Sequence, residues 1–432
     1  MKKQFIFILC GLFLCAGTIA ATDYNVLHQG AVGDGKTLNT QSLQSAIDAL
    51  HAKGGGQLYF PAGRYLTGSL QLKSNVTLYL EKEAVLLGST SPYDYPGFST
   101  EKELKVNNDH FDQALIYVEG AENIDITGEG CIDGQGRELA LTIDSLHHTG
   151  ELVDKHYNTY RKRPNTRPKL LFMRNCRKVE LRKTNFRSGA AWGLSFSLCA
   201  DLTIDSLHVE NRAYWNNDGI DISDCKEVRI SNCFINSADD GICLKSHNRG
   251  AWNDRVSISN CHIIGSASAI KFGTESLGGF KNVTIDNIRI KDTFRSAIAI
   301  ESVDGAEIEN VKLENIEIVC PGRATRGMAY MSVSRLKDVP ENEKGYPEFT
   351  MFEELPSWGF YVRHVKGIQM HNVKLRLQED DFRPAFVFDR VSNVRLSGIS
   401  LPENKKAGQV VLRQTSLQSA DNAVKEYITE VE

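Results

Sequence analysis

The chain has 432 residues, with 50 lysines and arginines against 54 aspartates and glutamates, and a formal net charge of −4 at pH 7. This balance excludes a strongly basic protein, so we expect no nucleic-acid partner. The hydrophobic fraction of 41% and the charged fraction of 24% are typical of a soluble globular protein.

The first twenty residues have the pattern of a secretory signal. Lys2 and Lys3 form a basic start, an apolar run covers residues 5–15, and small residues follow at Ala20 and Ala21. The apolar run is too short to span a bilayer, so we expect no membrane anchor. We therefore predict a signal peptide over 1–20 and a mature chain, 21–432, that is exported to the periplasm or the extracellular space.

Next along the chain, residues 40–52 predict a helix that covers the first coil of the fold. Asn39 or Thr40 is the expected N-cap, and the glycines at 54–56 end the helix. The predicted apolar face consists of Leu43, Ala46, Ile47 and Leu50. Residues 140–170 and 321–358 lack strand rhythm, and we expect them to be loops that wall a cleft.

Four short segments repeat in the second half of the chain. They read DGIDI, DGICL, SAIKF and SAIAI and start at residues 218, 240, 268 and 296, at intervals of 22, 28 and 28 residues. A motif that returns at such a period indicates a solenoid, in which each coil stacks on the previous one. We therefore predict a single solenoid domain over 21–432 rather than the two or three domains that the length alone suggests.

A second series of short alternating strands keeps the same rhythm, and each strand ends in asparagine. The asparagines are Asn232, Asn260, Asn287, Asn315 and Asn372. Stacked in parallel, such strands predict an all-β fold, a right-handed parallel β-helix, in which each asparagine hydrogen-bonds the backbone of the next turn. The strands that start at 311 and 368 are 57 residues apart, which we interpret as two periods with an inserted loop.

The repeat predicts which side chains share one face of the sheet. Isoleucines at alternate positions point into the core, so the residues between them point outward. The outward set is Asp221, Lys245, Lys271 and Glu301, with Asp218, Asp239 and Asp240 at the start of the strands. Carboxylates about 5 Å apart on neighbouring rungs repel by about 3 kcal/mol at an effective dielectric near 20, which separates their pKa values. A general acid and a general base require that separation; the alternatives are a solvated aspartate ladder or a calcium site.

Eight of the ten cysteines remain once the signal peptide is removed. Their spacing matches no zinc motif, and Cys233 and Cys261 occupy equivalent repeat positions, as small apolar core residues do. We expect mostly free buried thiols, no metal and no cofactor.

Several motifs resemble those of glycoside hydrolase family 28, the polygalacturonase and rhamnogalacturonan hydrolase family. They are NNDGID at 216–221, ADDG at 238–241, IDGQG at 132–136, GAVGDGK at 30–36 and YFPAG at 59–63. The resemblance covers about residues 23–402. It implies a right-handed parallel β-helix and inverting hydrolysis of α-galacturonosyl linkages in pectic polysaccharides or oligosaccharides, and we expect a monomer.

The resemblance also implies a role for each acid. Asp239 donates a proton to the leaving oxygen, whereas Asp218 and Asp240 orient and activate the attacking water. Asn216 precedes Asp218 in the first motif and is a candidate substrate-binding residue with Asp221.

Two family motifs are altered in this chain. Ser268 stands where the family has a histidine, and Glu301 falls where the family has a basic residue that binds the substrate carboxylate. We hypothesise that Lys245 and Lys271 take over anion binding. The alternative is that the adjacent subsite holds a neutral sugar, such as rhamnose in rhamnogalacturonan or in an α-rhamnoside. The segment from 268 to 279 also resembles a bacterial branch of the family that is associated with rhamnogalacturonan breakdown.

Two further side chains are candidate sugar contacts. Trp192 lies 26 residues before Asp218 and falls in the same column, where it either stacks on a sugar or packs under a loop. His247 follows the second acidic motif and either contacts substrate or lies in an exposed loop. The rival functions on the same fold are a calcium-dependent polysaccharide lyase and a non-catalytic carbohydrate-binding solenoid.

Overall fold

The computed structural model of the chain describes residues 22–97, 113–152, 167–214, 216–302, 305–322, 333–339, 355–402 and 408–432. Within these ranges the strands form two sheets, of twenty and twelve strands, and the pairings within each sheet are parallel. Successive coils place one strand in the twelve-stranded sheet and the others in the twenty-stranded sheet. The predicted right-handed parallel β-helix is therefore confirmed, since crossovers between parallel strands of one sheet are right-handed in nearly all proteins.

The twelve-stranded sheet carries the predicted acidic residues. Its strands are Leu70–Gln71, Ala114–Glu119, Lys169–Arg174, Leu194–Ser197, Ile220–Ser223, Ile242–Ser246, Ile270–Ser276, Ile298–Glu301, Phe360–Arg363, Phe386–Asp389, Val410–Arg413 and Ile428–Val431. Ile242 pairs in register with Ile220 on one side and with Ile270 on the other, and Ile270 pairs with Ile298. The four repeat segments thus stack as predicted, and their isoleucines lie in the buried core.

The twenty-stranded sheet forms the remaining walls of the helix. Its strands are Thr22–Asn25, Gly56–Phe60, Gly63–Thr67, Val76–Leu80, Ala84–Gly88, Glu122–Thr127, Cys131–Asp133, Arg177–Arg182, Asn185–Arg187, Ala200–Asp205, His208–Asn211, Lys226–Ser231, Phe234–Ser237, Asn253–Ser259, His262–Ile264, Phe280–Lys291, Ile308–Cys320, Val365–Leu377, Ser392–Ser400 and Leu417–Ala420. Val311 pairs directly with Ile368. The interpretation of that interval as two periods is therefore wrong, because the two strands are neighbours and the intervening residues belong to a single coil with a long insertion.

Three α-helices and three 3₁₀ helices accompany the strands among the described residues. They are Thr40–Ala52, Gly136–Thr149 and Asn422–Lys425, and Val26–Gln29, Pro92–Asp94 and Val333–Asp338, respectively. None of the helices in the described ranges is long and apolar enough to cross a membrane. The predicted signal peptide lies outside the described residues.

The helix Thr40–Ala52 has the predicted bounds and buries the four predicted apolar side chains. Asn39 occupies the predicted N-cap position, but its side chain makes no capping hydrogen bond. The amide of Asn39 instead accepts a hydrogen bond from the Val32 N–H at 2.7 Å and donates to the Leu66 carbonyl at 3.2 Å. Asn39 therefore ties the chain before the helix to the second coil.

The two segments predicted as loops differ from that prediction where they are described. Residues 140–149 continue the helix Gly136–Thr149, since Leu139, Ala140 and Ile143 form a buried face at helical spacing. Of the second segment, 333–338 forms a 3₁₀ helix that packs on the twelve-stranded sheet. The stretches 153–166, 323–332 and 340–354 lie outside the described residues.

The repeated asparagines form a ladder along one edge of the helix. The Asn260 amide donates to Asn232 Oδ1 at 3.2 Å and accepts from the Asn287 amide at 2.8 Å. The prediction that these amides bond the neighbouring backbone is therefore wrong, because they donate to side chains of the preceding coil, to another asparagine or, from Asn232 and Asn315, to an aspartate. Asn260 has φ = 55°, and asparagine tolerates this left-handed conformation better than most residues.

Replacing Asn260 separates the contribution of its inter-coil hydrogen bonds from that of its left-handed backbone conformation. Asn260→Ala removes two inter-coil hydrogen bonds and strains the left-handed backbone, so we expect a loss of about 2 kcal/mol in the free energy of unfolding. Asn260→Gly removes the same hydrogen bonds without the strain, and we expect about half that loss. Urea unfolding of the three proteins measures the difference; a glycine variant as unstable as the alanine variant would contradict the argument about backbone conformation.

The eight cysteines within residues 22–432 are all free thiols in the described structure. Seven of them are buried, as small core residues are. Their thiols stack between coils, as Cys199 does when its N–H donates to Cys225 Sγ at 3.3 Å. The prediction of mostly free buried thiols is therefore confirmed.

Candidate active site

Asp218 and Asp240 occupy the same position on neighbouring rungs of the twelve-stranded sheet. The register of Ile220 with Ile242 places them one above the other. Each offers a carboxylate oxygen, and these oxygens lie within 4.8 Å of each other. Both side chains are buried. The repeat thus brings together two carboxylates that are 22 residues apart in the chain, at the distance that we predicted from the rung spacing.

Asp239 lies beside this pair and is the more accessible of the three acids, since it is only half-buried. Its backbone is held on both sides: its N–H donates to the Asn217 carbonyl at 3.2 Å, and its carbonyl accepts from the Ala267 N–H at 2.9 Å. These bonds link it to the coils before and after its own. Asp239 is therefore a carboxyl group on a fixed backbone that a ligand can reach.

The turn before Asp218 is built by asparagine side chains. The Asn217 amide donates to the carbonyls of Gly189 and Ala191 at 2.9 and 2.6 Å. The Asn211 amide donates to the Asp218 carbonyl at 2.8 Å. Both asparagines are fully buried, so their role is to fix the backbone from which Asp218 projects.

Asn216 is the part-buried member of this turn and has φ = 49°. Its side-chain oxygen accepts a hydrogen bond from Arg167 Nη2 at 2.7 Å, and Arg167 Nη1 donates to the Ala190 carbonyl at the same distance. Substrate binding by Asn216 stays a prediction. The structure assigns its side chain to the anchoring of the turn through Arg167, which is buried.

Two buried lysines contact the aspartates of the site. Lys245 Nζ lies 3.0 Å from Asp218 Oδ2 and 2.8 Å from Asp221 Oδ1. Lys271 Nζ lies 3.0 Å from Asp240 Oδ2. Each of the two stacked acids thus has an ammonium group of its own. The hypothesis that these lysines bind the substrate carboxylate stays untested, but their contacts favour a role in positioning the carboxylates of Asp218 and Asp240.

Burial raises the pKa of Asp218 well above its ordinary value. Lys245 opposes this effect, whereas the carboxylates of Asp221, Asp239 and Asp240 add to it. The direction agrees with the predicted separation of pKa values, but the leading cause is loss of water rather than repulsion between the acids. The carboxylate form of Asp218 therefore depends on Lys245.

Trp192 stands one rung before Asp218 in the same column, as predicted, because Leu194 pairs with Ile220. Its ring is partly exposed. Lys245 Nζ lies 3.7 Å and Lys169 Nζ 5.2 Å from its ring centroid. The indole therefore combines cation–π contacts with an accessible face on which a sugar can stack.

The remaining predicted residues are less accessible than the sequence suggested. Ser268 is fully buried and contributes its backbone N–H, which donates to Asp240 Oδ1 at 3.2 Å. Glu301 is also buried, in register with Arg363 on the next rung. His247 directly follows the strand Ile242–Ser246 and is not exposed, because its Nδ1 contacts a carboxylate oxygen of Glu275 and its side chain is largely covered. The burial of Ser268 and Glu301 argues against direct substrate contact, whereas substrate contact by the part-buried His247 stays a prediction.

The predicted alternative of a calcium site is disfavoured by the donor set. Cys243 Sγ lies within 4.8 Å of oxygens of Asp218 and Asp240, so the three groups could surround an ion. However, the Cys243 thiol donates to the Gly273 carbonyl at 3.1 Å, and burial raises its pKa well above the ordinary value. The two carboxylates already contact ammonium groups, which would repel a divalent cation.

Some residues that support the site carried no clear signal in the sequence. The Tyr214 hydroxyl donates to Asp144 Oδ2 at 2.9 Å and so joins the helix Gly136–Thr149 to the turn before Asp218. Arg167 lies over the Tyr214 ring, 5.2 Å from its centroid. The sequence did not single out Arg167 or Tyr214, because their contacts join segments that are far apart in the chain.

Comparison with known proteins identifies the family. The model of glycosyl hydrolases family 28 matches residues 56–324. The chain belongs to this family, which confirms the resemblance inferred from its motifs. The matched region includes the acids of the site and most of both sheets.

Individual relatives agree with this assignment. A probable polygalacturonase of Vitis vinifera is 29% identical over 321 residues, which cover 70% of this chain and 60% of the relative. An exo-poly-alpha-D-galacturonosidase of Dickeya chrysanthemi is 28% identical over 248 residues, which cover 50% of this chain and 41% of the relative. The chain thus spans less than two thirds of the length of these relatives.

The fold is also found in a solved structure. The family 28 exopolygalacturonase of Yersinia enterocolitica superposes with a TM-score of 0.67 at 22% identity, over 95% of this chain and 77% of that one. At this level of identity the likeness supports the parallel β-helix and carries no argument about substrate.

Proposed function

We propose that this protein is an inverting glycoside hydrolase that cleaves α-galacturonosyl linkages in pectic polysaccharides or their oligomers. The observation that carries this proposal is the stacking of Asp218 and Asp240 within 4.8 Å of each other, with Asp239 accessible beside them. Membership of family 28 supports the same reaction. It requires no cofactor.

Each acid has a defined task in the proposed reaction. Asp239 gives its proton to the glycosidic oxygen as the bond from that oxygen to the anomeric carbon breaks. Water attacks the anomeric carbon from the opposite face and passes its proton to Asp218 or Asp240. The products are a sugar with inverted anomeric configuration and a shortened alcohol, and Asp239 ends ionised while the base ends protonated.

The charge of the site favours a neutral sugar on the leaving-group side of the scissile bond, next to the galacturonate whose anomeric carbon is attacked. Asp218, Asp221 and Asp240 contact Lys245 or Lys271, and those ammonium groups are already bound to protein carboxylates. A galacturonate carboxylate in the same subsite would add another negative charge. We therefore favour the alternating rhamnose and galacturonate backbone of rhamnogalacturonan over polygalacturonan, with an α-rhamnoside as the alternative substrate.

We propose further that the protein is exported through its N-terminal signal and acts as a monomer, outside the cytoplasm. The basic and apolar pattern of residues 1–20 supports export. N-terminal sequencing of the protein recovered outside the cytoplasm should begin at about residue 21. Light scattering should give the mass of one mature chain.

The decisive experiment offers the purified protein polygalacturonan, rhamnogalacturonan oligomers and an aryl α-rhamnoside. We expect release of galacturonate from rhamnogalacturonan oligomers, and proton NMR should show the inverted anomer first. An unsaturated product that absorbs in the ultraviolet would instead identify a lyase. Binding to these glycans without turnover would identify a carbohydrate-binding solenoid.

A further inference from the structure

The outward side chains in the middle of the twelve-stranded sheet form a column that passes through the site. In register they include Phe172, Ser195, Asp221, Cys243, Lys271 and Ala299. Each of them is at most 4% exposed. An open groove along this face would expose side chains on several rungs on either side of the acids. The described structure therefore shows a covered face rather than an open groove.

On the side that follows Asp240, an apolar cluster covers the sheet. Leu336, Val339 and Leu355 pack on Ala299 and Tyr361, and all five side chains are buried. Arg363 Nη2 also donates to the Val339 carbonyl at 3.4 Å. We call Leu336, Val339 and Leu355 the apolar wall.

The apolar wall begins close to the acids. Ala299 pairs with Lys271, which pairs with Cys243 on the strand that follows Asp240. Ala299 is thus two rungs away, or about 10 Å at the spacing of parallel strands. A polymer that continued along the face in this direction would meet packed side chains within that distance.

The opposite side is covered as well. Tyr117 and Phe172 form a second buried cluster with Ala114, three and two rungs before the strand of Asp221. Lys169 is buried against it, with Nζ 4.6 Å from the centroid of the Phe172 ring. The column is therefore buried in both directions, and on the side of Ala299 the apolar wall from outside the sheet covers it.

The accessible part of the site lies between these two clusters. Trp192 and Asp239 are both partly exposed, whereas Asp218 and Asp240 form a buried floor beside them. This arrangement places the accessible carboxyl group of Asp239 and the partly exposed ring of Trp192 beside a buried floor. It suits the end of a chain better than its interior.

We propose that the site accepts the terminal sugar units of a pectic chain and does not bind the interior of a polymer. This inference rests on the proposed function, since it concerns the same hydrolysis at the same acids. The reaction at the end of the chain is the one described above: one glycosidic bond breaks, and one water molecule supplies the hydroxyl group and the proton of the products.

The test uses the whole mature protein, a long pectic polymer and oligomers of defined length with a fluorescent label at the reducing end. We expect small products from the first time point and an almost constant viscosity of the polymer solution. The labelled oligomers should shorten stepwise, each time by the same number of sugar units. An early fall in viscosity with mixed mid-length products would overturn this inference but leave hydrolysis intact. The absence of any cleavage would overturn the proposed function and this inference together.

A pair of variants tests the apolar wall. Leu336→Ala shortens a wall residue, and Leu396→Ala shortens a buried residue of the other sheet. We expect Leu336→Ala to raise the share of internal cuts several-fold at a temperature where both variants are folded, and Leu396→Ala to leave it unchanged. Equal product patterns for both variants would contradict closure by the apolar wall.

Discussion

Asp239→Asn is expected to lose most of its turnover while the fold survives. Asparagine keeps the size of the side chain but cannot give a proton to the glycosidic oxygen, and general acid catalysis contributes about 10²- to 10⁴-fold. The backbone bonds that hold residue 239, from its N–H and to its carbonyl, do not involve the side chain. We therefore expect kcat to fall by at least about 100-fold and the melting temperature to stay within about 2 °C.

Asp201→Asn is the matched control, because Asp201 is exposed on the twenty-stranded sheet. It should leave both kcat and the melting temperature unchanged. If Asp239→Asn kept near-normal turnover, the assignment of Asp239 as the acid would be wrong. If the wild-type protein and both variants bound the substrate equally well and none of them cleaved it, the protein would be a carbohydrate-binding module.

Lys245→Met should have the largest effect on stability. The variant leaves the buried carboxyl groups of Asp218 and Asp221 without the ammonium group that contacts both. Breaking a buried ion pair in this way costs about 3–5 kcal/mol. Differential scanning calorimetry or urea unfolding at neutral pH measures the loss, with Lys374→Met on the exposed face of the other sheet as the control.

The stability loss of Lys245→Met should depend on pH in a definite direction. Burial raises the pKa of Asp218, and Lys245 opposes that shift, so Lys245→Met raises the pKa further. A carboxyl group with a raised folded-state pKa contributes stability below the ordinary aspartate value of about 4, and this contribution is lost as the pH rises through the folded-state pKa. The deficit of the variant should therefore shrink on acidification. The acidic limb of the kcat/KM profile should move to higher pH, since the base must be ionised; an unchanged limb would contradict the role of Lys245.

Much of the fold could be predicted because each repeat is recognisable within a short stretch of sequence. The isoleucines at 220, 242, 270 and 298 recur at fixed offsets, and side chains on stacked strands must then lie one above another. The same register placed Trp192 over Asp218 and brought Asp218 to Asp240. The helix at 40–52 was equally predictable, since its apolar periodicity is complete within thirteen residues.

Other features depended on contacts between distant coils. The hydrogen-bond partners of the asparagine ladder were predicted wrongly. Side chains and backbone groups of the neighbouring coil are both within reach of each amide, and the sequence does not show which of them it bonds. Residues 140–149 belong to the helix Gly136–Thr149 rather than to a loop, since the apolar face of this helix is buried in the folded chain. The interval between Val311 and Ile368 held an insertion, and its length imitated a second period.

The amino-acid sequence alone was enough to predict the β-helix and the family, because the strand repeat and the family motifs are short local patterns, and the same repeat predicted that Asp218 stacks on Asp240. The covering of the face by the apolar wall, the ion pairs of Lys245 and Lys271, and the burial of Ser268 and Glu301 required the folded chain. Burial and charge pairing are set by segments that approach from far along the chain, and no local spacing encodes which of them arrives at a given rung.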